Sequence, residues 1–243
     1  MTTLFISDLH LEEARPDITD AFLRFLDERA KTAERLYILG DFFEAWIGDD
    51  EYTPLQNQVA DALKAVRAGG TELFLMHGNR DFLIGEDFCA RVGATLLDDP
   101  TVVDLYGTDT LLMHGDSLCT ADVEYQKFRA SMRNREWQQA FLKRPLAERQ
   151  LVARQIREIS MARNKGKEEF IMDVTADEVV KVMEAHGVQR LIHGHTHRPA
   201  VHELQANGRP ATRIVLGDWA ENIWWLEVAA GQEPQLRSEP LAG

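Results

Sequence analysis

Cysteine is scarce in this 243-residue chain, which has only Cys89 and Cys119, and the two do not form a Cys-x-x-Cys pair. Neither a disulfide framework nor a thiolate zinc site is therefore indicated. Long apolar runs are missing as well, since no stretch reaches the roughly 18 residues that a membrane-spanning helix requires. The N-terminus has no basic region and leads directly into an apolar run, so we expect no cleaved signal peptide and a cytoplasmic location.

Positive charge is also in short supply, because 27 Lys and Arg face 40 Asp and Glu and the formal net charge is −13. This balance argues against a general nucleic-acid-binding protein, which would carry a basic surface. Residues 122–169 are the exception, with 12 Lys and Arg against 7 Asp and Glu. A basic segment on an acidic body suits an anionic substrate or an anionic membrane surface. The alternative is a solvated helical face, which charge alone favours.

Short β-type runs recur along the chain, and each closes on a polar or glycine-bearing turn. They are residues 4–7, 36–40, 73–78, 111–115 and 191–194. Between the first three runs, apolar residues at helical spacing predict helices near residues 18–26 and 59–66. Alternating strands and helices indicate a single α/β domain over residues 1–243, with a site in the loops at the carboxyl ends of the strands.

The pattern changes between residues 121 and 173, where helix formers dominate and no β-type run occurs. We therefore predict a helical insertion at 121–173, with a break at Arg144-Pro145 between two helices. A further helix is expected at 176–186, followed by an antiparallel meander of residues 200–204, 213–217 and 222–228. Residues 231–243 contain Gln, Pro and Gly and are predicted to form a flexible tail.

The five β-type runs end on, or just before, side chains that can bind a metal ion. These are Asp8, His10, Asp41, Asn79, His114, His195 and His197. Carboxylates, imidazoles and an amide oxygen suit divalent ions such as Mn²⁺, Fe²⁺ or Zn²⁺. Two such ions about 3.5–4 Å apart can hold both sides of a displacement at phosphorus and activate a water molecule. One carboxylate must then bridge the ions, and Asp41 is the natural choice because it stands alone at its strand end.

Any one of these motifs is weak evidence, because a histidine at a strand end is more often packed or on the surface than bound to a metal. Five motifs in succession, each after an apolar run, make coincidence remote. The remaining histidines are interpreted without a metal: His77 and His193 as core or neighbouring residues within strands, and His186 and His202 as ordinary side chains.

The series Asp-x-His, Gly-Asp, Gly-Asn-Arg-Asp, His-Gly-Asp and Gly-His-Thr-His resembles the calcineurin-like metallophosphoesterase superfamily. The resemblance implies a β-sandwich flanked by helices and a dinuclear metal centre. One ion would bind Asp8, His10, Asp41 and His197, and the other Asp41, Asn79, His114 and His195. Members hydrolyse phosphomonoesters, phosphodiesters or pyrophosphates, so the superfamily alone leaves the substrate open.

Four longer strings are more specific, at residues 40–50, 114–120, 125–129 and 171–174. They resemble the bacterial UDP-2,3-diacylglucosamine diphosphatases of lipid A biosynthesis, and the likeness runs over residues 3–225. It implies a Mn²⁺-dependent hydrolase, peripherally bound to the inner membrane, that splits the pyrophosphate bond of this lipid-linked UDP-sugar by attack of water on the α-phosphorus. It also implies substrate contacts from Asn79, Arg80, Asp122, Ser160, Asn164, Lys167 and His195.

The insertion then has a use as an apolar groove for the two acyl chains of such a substrate. Candidate groove residues are Phe128, Met132, Trp137, Phe141, Ile156 and Phe170. Spacing alone favours simple packing between helices for any one of them. Two other functions stay open: a phosphodiesterase of cyclic nucleotides or nucleic acid on the same metal centre, and a metal-dependent binding module without turnover.

Overall fold

The computed structural model describes residues 1–164 and 173–241, with side chains described up to Ser160 and again from Asp173. The α-helices of this described chain are α1 Pro16–Glu28, α2 Pro54–Ala68, α3 Glu86–Val92, α4 Val123–Met132, α5 Arg135–Leu142, α6 Leu146–Asn164 and α7 Ala176–His186. Its strands are β1 Thr2–Ile6, β2 Arg35–Leu39, β3 Glu72–Met76, β4 Ala94–Leu97, β5 Thr101–Asp104, β6 Asp109–Leu112, β7 Arg190–His193, β8 Ala200–Ala206, β9 Arg209–Val215, β10 Asn222–Ala229 and β11 Gln235–Pro240.

The strands form two sheets that pack face to face. The first sheet has the strand order β11-β10-β1-β2-β3-β4, and the second has the order β5-β6-β7-β9-β8. Side chains alternate along β1, so that Phe5 packs against Ile192 and Ile214 of the second sheet, while Leu4 and Ile6 belong to the core on the opposite face. Because β1 is buried on both faces, its residues 4–6 form a continuous apolar run rather than an alternating one.

Helices cover the outer face of each sheet. On the first sheet, α1, α2 and α3 contribute Phe22, Leu63 and Phe88 to the same core as Leu4 and Ile6. On the second sheet, Val179 and Met183 of α7 pack with apolar side chains of β6 and β7. The architecture is the helix-flanked β-sandwich that the sequence resemblance implies, and the predicted α/β fold class is confirmed.

Parallel pairing brings the candidate loops to one edge of the sandwich. β1, β2 and β3 are parallel neighbours in the first sheet, and β6 and β7 are parallel neighbours in the second. Hydrogen bonds then join these loops, both within the second sheet and between the two sheets. The backbone N–H of Gly194 donates to the carbonyl of His114 (2.8 Å), and that of His195 donates to Oδ2 of Asp8 (2.9 Å). All five predicted loops therefore meet at this edge.

The described part of the predicted insertion is helical and contains α4, α5 and α6. The expected break at Arg144-Pro145 is present, since α5 ends at Leu142 and α6 begins at Leu146. A second break, absent from the sequence interpretation, separates α4 from α5. There the Asn134 side chain accepts a hydrogen bond from the backbone N–H of Trp137 (2.9 Å) and caps α5. Within residues 1–164 and 173–241, none of the helices combines the length and apolar character needed to cross a bilayer.

Two expectations for the C-terminal region are wrong. The predicted three-stranded meander is a hairpin of β8 and β9 alone, because β10 crosses to the other sheet and pairs antiparallel with β1. The predicted flexible tail at 231–243 contains β11, which pairs antiparallel with β10. Backbone hydrogen bonds hold this edge strand, and Leu236 and the buried Leu241 anchor it to the core.

Candidate metal centre

The loops of the site hold their polar residues in an unusual backbone conformation. Positive φ angles occur at Asp8 (55°), His10 (51°), Asp41 (48°), His195 (67°) and His197 (55°). For residues other than glycine this left-handed region costs about 1–3 kcal/mol each and is concentrated at functional sites. Asp and His tolerate it better than most side chains. The surrounding fold therefore holds these five residues in a strained backbone conformation, which directs their side chains toward the same region.

Two glycines let the loops approach one another closely. A Cβ atom on Gly78 would lie 2.1 Å from the backbone nitrogen of Asp41, and one on Gly194 would lie 2.2 Å from Oδ2 of Asp8. No side chain fits at such distances, so the glycines of the Gly-Asn-Arg-Asp and Gly-His-Thr-His motifs are required by contact with the neighbouring loop.

Asp8, His10 and His197 form the first group, with one possible ligand atom from each within 4.8 Å of the others. Nε2 of His197 lies 3.4 Å from Oδ1 of Asp8 and 3.4 Å from Nε2 of His10. Oδ2 of Asp8 accepts hydrogen bonds from the Ser7 hydroxyl (2.6 Å) and from the His195 backbone. Oδ1 is buried and, apart from its 3.4 Å approach to His197, faces no hydrogen-bond donor among the described residues, so it is available to a cation.

Asp41, His114 and His195 form the second group by the same criterion. Nδ1 of His114 donates to the carbonyl of Leu39 (2.9 Å), which fixes the tautomer and turns Nε2 toward the group. This Nε2 lies 3.0 Å from Oδ1 of Asn79, so the Asn79 amide oxygen joins the second group.

Asp41 lies between the two groups and is 2% exposed. Its Oδ2 atom is 3.8 Å from Nε2 of His10, and its Oδ1 atom is 3.7 Å from Nε2 of His114. Oδ1 also accepts a hydrogen bond from the backbone N–H of Arg80 (2.8 Å). One carboxylate therefore faces both groups, which is the geometry that a bridging ligand requires.

The carboxylates of the site stabilise positive charge on nearby groups. Burial disfavours a charged imidazole at His10 and His114, but the carboxylates around them outweigh it and raise the pKa of each to about 9. At His195, burial and the neighbouring His114 lower the pKa to about 3, which leaves a neutral imidazole. Burial raises the pKa of the Asp41 carboxyl. These carboxylates favour cations in their midst, whether protons or metal ions.

A cavity of about 400 Å³ opens beside the second group. It lies between the insertion and the loops after β2 and β3, and Asn79, Arg80 and Tyr125 line it near the candidate ligands. The ring of Tyr125 stacks on His195, with centroids 6.0 Å apart. The apolar part of the wall consists of Trp46, Ile47, Phe82, Leu83, Phe128, Trp137, Phe141, Ile156 and Ile159.

The groove residues expected from sequence are largely found in this wall. Phe128, Trp137, Phe141 and Ile156 line the cavity, whereas Met132 is not among its lining residues. Phe141 is also buried in the main core, so packing and lining coexist in one side chain. Phe170 lies outside the described residues.

The expected substrate contacts divide into three sets. Asn79, Arg80 and Ser160 line the cavity, and His195 contacts Tyr125 at its edge. The side chain of Asp122 accepts a hydrogen bond from the backbone N–H of Tyr125 (3.1 Å) and caps α4. The side chain of Asn164 and all of Lys167 lie outside the described residues.

Comparison with known proteins follows the same line as the geometry. The sequence model of the calcineurin-like phosphoesterase family matches residues 1–199 of the chain. The chain belongs to this family. A protein of Marinobacter nauticus named UDP-2,3-diacylglucosamine hydrolase is 75% identical to it over 242 residues, which cover 100% of this chain and 99% of the relative. A protein of the same name from Hahella chejuensis is 58% identical, with 100% of both chains covered.

A solved archaeal phosphodiesterase supports the fold. It matches with a TM-score of 0.50 and 14% identity over 98% of this chain and 100% of its own. At that identity the likeness concerns the architecture alone. As a calcineurin-like phosphoesterase the chain is a hydrolase, and the family implies divalent metal ions. The residues present fit such ions, because two compact groups of carboxylate and imidazole side chains converge on Asp41 and include the buried Oδ1 of Asp8.

Other residues that shape the site went unassigned in the sequence interpretation. Asp81 is fully buried, and its carboxylate accepts hydrogen bonds from the backbone N–H groups of Gly78, Phe42 and Phe43 at 2.8, 2.7 and 3.3 Å. It therefore joins the loops after β2 and β3 and fixes Asp41 between them. Its place in the Gly-Asn-Arg-Asp motif was the available indication of this role.

Asp116, the last residue of the His-Gly-Asp motif, also shapes the site. It is fully buried, and its Oδ2 atom accepts hydrogen bonds from the Tyr125 hydroxyl (2.6 Å) and from Nε of Arg129 (2.8 Å). Because both donors lie on α4, Asp116 attaches the insertion to the loop that carries His114.

Proposed function

We propose that the protein hydrolyses the pyrophosphate bond of UDP-2,3-diacylglucosamine to UMP and 2,3-diacylglucosamine 1-phosphate, as a step of lipid A biosynthesis. The observation that carries the proposal is the adjacency of two metal-binding groups to an apolar cavity, with Asn79 and Arg80 at the boundary. The names of the full-length relatives support the same substrate.

Each part of the site has a task in this reaction. Asp8, His10, Asp41 and His197 would hold one divalent ion, and Asp41, Asn79, His114 and His195 the other. Such a pair lowers the pKa of a bound water and stabilises charge on the phosphoryl oxygens. Arg80, at the boundary of the cavity, offers planar hydrogen bonds to a phosphate. We assign Ser160, together with Asp122, Asn164 and Lys167, to the polar part of the substrate.

The cavity gives the substrate its lipid specificity in this proposal. Its wall is mainly aromatic and aliphatic, and it admits an acyl chain rather than a second nucleotide. This composition favours a diacylated UDP-sugar over a cyclic nucleotide or a nucleic acid, which would call for polar and basic walls.

We further propose Mn²⁺ as the ion and peripheral binding to the cytoplasmic face of the inner membrane. Oxygen and imidazole ligands without thiolates suit Mn²⁺. Exposed apolar side chains on the insertion, at Val123, Leu142, Leu151 and Ile159, lie in the basic segment of the chain and support contact with an anionic bilayer. Sedimentation with vesicles tests this: binding to phosphatidylglycerol but not to phosphatidylcholine is expected, and no binding to either would contradict it.

The reaction is tested with purified protein, UDP-2,3-diacylglucosamine, Mn²⁺ and ¹⁸O-labelled water. Water should attack the α-phosphorus, so the P–O–P bond breaks on that side and the label appears in UMP by mass spectrometry. Label in the lipid phosphate would contradict the site of attack. Faster turnover of a cyclic dinucleotide than of the UDP-sugar would replace this function with a phosphodiesterase.

A further inference from the structure

Glu44 contacts the first group from outside and has no role in the function proposed above. It follows β2 in the string Gly40-Asp41-Phe42-Phe43-Glu44, three residues after Asp41. Its side chain is 12% exposed. A carboxylate this far buried needs compensating charge or hydrogen bonds, so its contacts indicate what holds it there.

The backbone places Glu44 firmly beside His10. The segments 10–11 and 41–44 run alongside each other: the N–H of His10 donates to the carbonyl of Asp41 (3.0 Å), that of Leu11 to Phe42 (2.9 Å), and that of Glu44 to Leu11 (3.1 Å). Three hydrogen bonds fix the relative position of these two segments. The Glu44 side chain therefore meets the His10 ring without a flexible loop between them.

The Glu44 carboxylate uses its two oxygens differently. Oε2 lies 2.8 Å from Nδ1 of His10. Oε1 lies 3.2 Å from Nη2 of Arg157, on α6, and 3.5 Å from Nη1 of Arg80. The two guanidinium groups hold one oxygen and thereby aim the other at the imidazole.

This ion pair favours the His10 tautomer whose unprotonated nitrogen faces the first group. A carboxylate at Nδ1 keeps the proton on that nitrogen and leaves the lone pair of Nε2 for a metal. Nε2 is the atom that faces His197 and Asp41, at 3.4 and 3.8 Å. The other histidine of the first group has a looser partner, since Nδ1 of His197 lies 3.6 Å from Oδ2 of Asp218.

We propose that Glu44 is a positioning residue of the first group, which fixes the tautomer and orientation of His10 and so sets the affinity of that group for its metal ion. The inference shares with the proposed function the assumption that the two groups bind metal, but it does not depend on the substrate. Because Arg157 belongs to α6, the same carboxylate also connects the first group to the insertion.

The test titrates the metal-stripped full chain with Mn²⁺ and follows free Mn²⁺ by electron paramagnetic resonance. Glu44→Ala should weaken one of the two Mn²⁺ sites by about 10–100-fold, the usual effect of losing an outer partner of a metal-bound histidine. Glu44→Gln keeps an oxygen for the Nδ1 proton without the charge and should fall between Glu44→Ala and the wild type. Glu12→Gln is the matched control, because Glu12 also pairs with Arg157 (3.5 Å), and it should leave both sites unchanged.

The outcomes separate the inference from its alternatives. Unchanged Mn²⁺ affinity in Glu44→Ala overturns it, and so does equal weakening by Glu12→Gln, which would make Arg157 the important partner. Urea unfolding midpoints identify a variant that has lost its fold, and the nearly isosteric Glu44→Gln then decides. If the wild type bound two Mn²⁺ ions but did not turn over the UDP-sugar, the proposed function would fail while this titration would still stand.

Discussion

Two regions of the chain meet at the site and are built in different ways. The loops after the strands bury their polar side chains, and Asp8, Asp41 and His114 are each 2% exposed or less. The insertion is open by contrast: α4, all of which is described, buries none of its side chains, and in α5 the buried one is Phe141. Close packing fixes the positions of the candidate ligands, whereas a thinly packed helical layer provides the wall of the cavity.

Polar contacts help to attach the insertion to the sandwich. Arg149 on α6 donates to the carbonyl of Ile47 (2.6 Å) and pairs with Asp50. Arg133 donates to the carbonyl of Gly78 (2.9 Å), close to Asn79. These polar contacts orient the helical layer, and Phe141 joins it to the main core, with Trp137 and Leu146 packed alongside. From this difference we expect that substitutions in the loops alter the chemistry and that substitutions in the insertion alter the choice of substrate.

The largest effect is expected from Asp41→Ala, which removes the carboxylate between the two groups. Turnover should fall by roughly a thousandfold or more, because neither ion keeps its shared ligand. The change also removes the acceptor of the Arg80 backbone N–H, so the free energy of unfolding should fall by about 1–3 kcal/mol. Steady-state kinetics measure the turnover, and an unfolding curve measures the stability. His202→Ala, at an exposed histidine of β8, is the control. Retained turnover in Asp41→Ala would contradict a role for Asp41 as the bridging ligand.

The affinity of the two groups for metal ions should also depend strongly on pH. Burial opposes the charged form of His10 and His114, but nearby carboxylates prevail and raise the pKa of each to about 9. Below that pH both imidazole rings carry an additional proton, which a metal ion must displace in order to bind. The affinity for metal ions therefore rises with pH up to about 9. One displaced proton per ion gives about a hundredfold gain between pH 7 and 9. Calorimetry in buffers of different ionisation enthalpy would show the released protons, and pH-independent binding would contradict the prediction.

The strand-end ligands could be foreseen from sequence for a definite physical reason. Parallel strands bring their carboxyl ends to one edge of a sheet, so Asp8 and Asp41 are expected to lie near each other once their runs are identified as strands. His114 follows β6 in the other sheet, and its place beside them depends on how the two sheets pack. Chemistry and spacing therefore indicated the candidate ligands, and the structure brings them together in two groups. The contact of Glu44 with His10 depends on side-chain direction, which no spacing rule supplies.

The C-terminal strands show where sequence reasoning stops. β11 (Gln235–Pro240) is polar along most of its length and pairs through backbone groups that every residue has. Nothing in its composition distinguishes it from a frayed end. β10 could have paired with a strand of either sheet, and its pairing with β1 of the first sheet is a long-range contact that its own sequence does not indicate.

Arg149→Met tests the polar attachment of the insertion. Arg149 is 2% exposed, and its loss leaves the carbonyls of Ile47 and Arg144 without this donor. An unsatisfied buried group costs about 1–3 kcal/mol, and about 2 kcal/mol corresponds to a roughly thirtyfold shift in the unfolding equilibrium. Urea unfolding measures the loss. Lys143→Met, at an exposed position before α6, should be neutral, and equal stability in both variants would mean that the anchor contributes nothing.

The smallest effect is expected from Trp137→Asp, which places a charge in the cavity wall and leaves the candidate ligands untouched. Trp137 lines the cavity and stacks on Phe141, with ring centroids 5.1 Å apart. KM for a long-acyl UDP-sugar should rise by about tenfold, the range that one altered apolar contact commands, while a short-acyl analogue changes little. Gln139→Asp, exposed on the same helix, controls for added charge. An equal rise in KM for both substrates would show that Trp137 only holds the helices together. The cavity wall would then not determine the choice of substrate at this position.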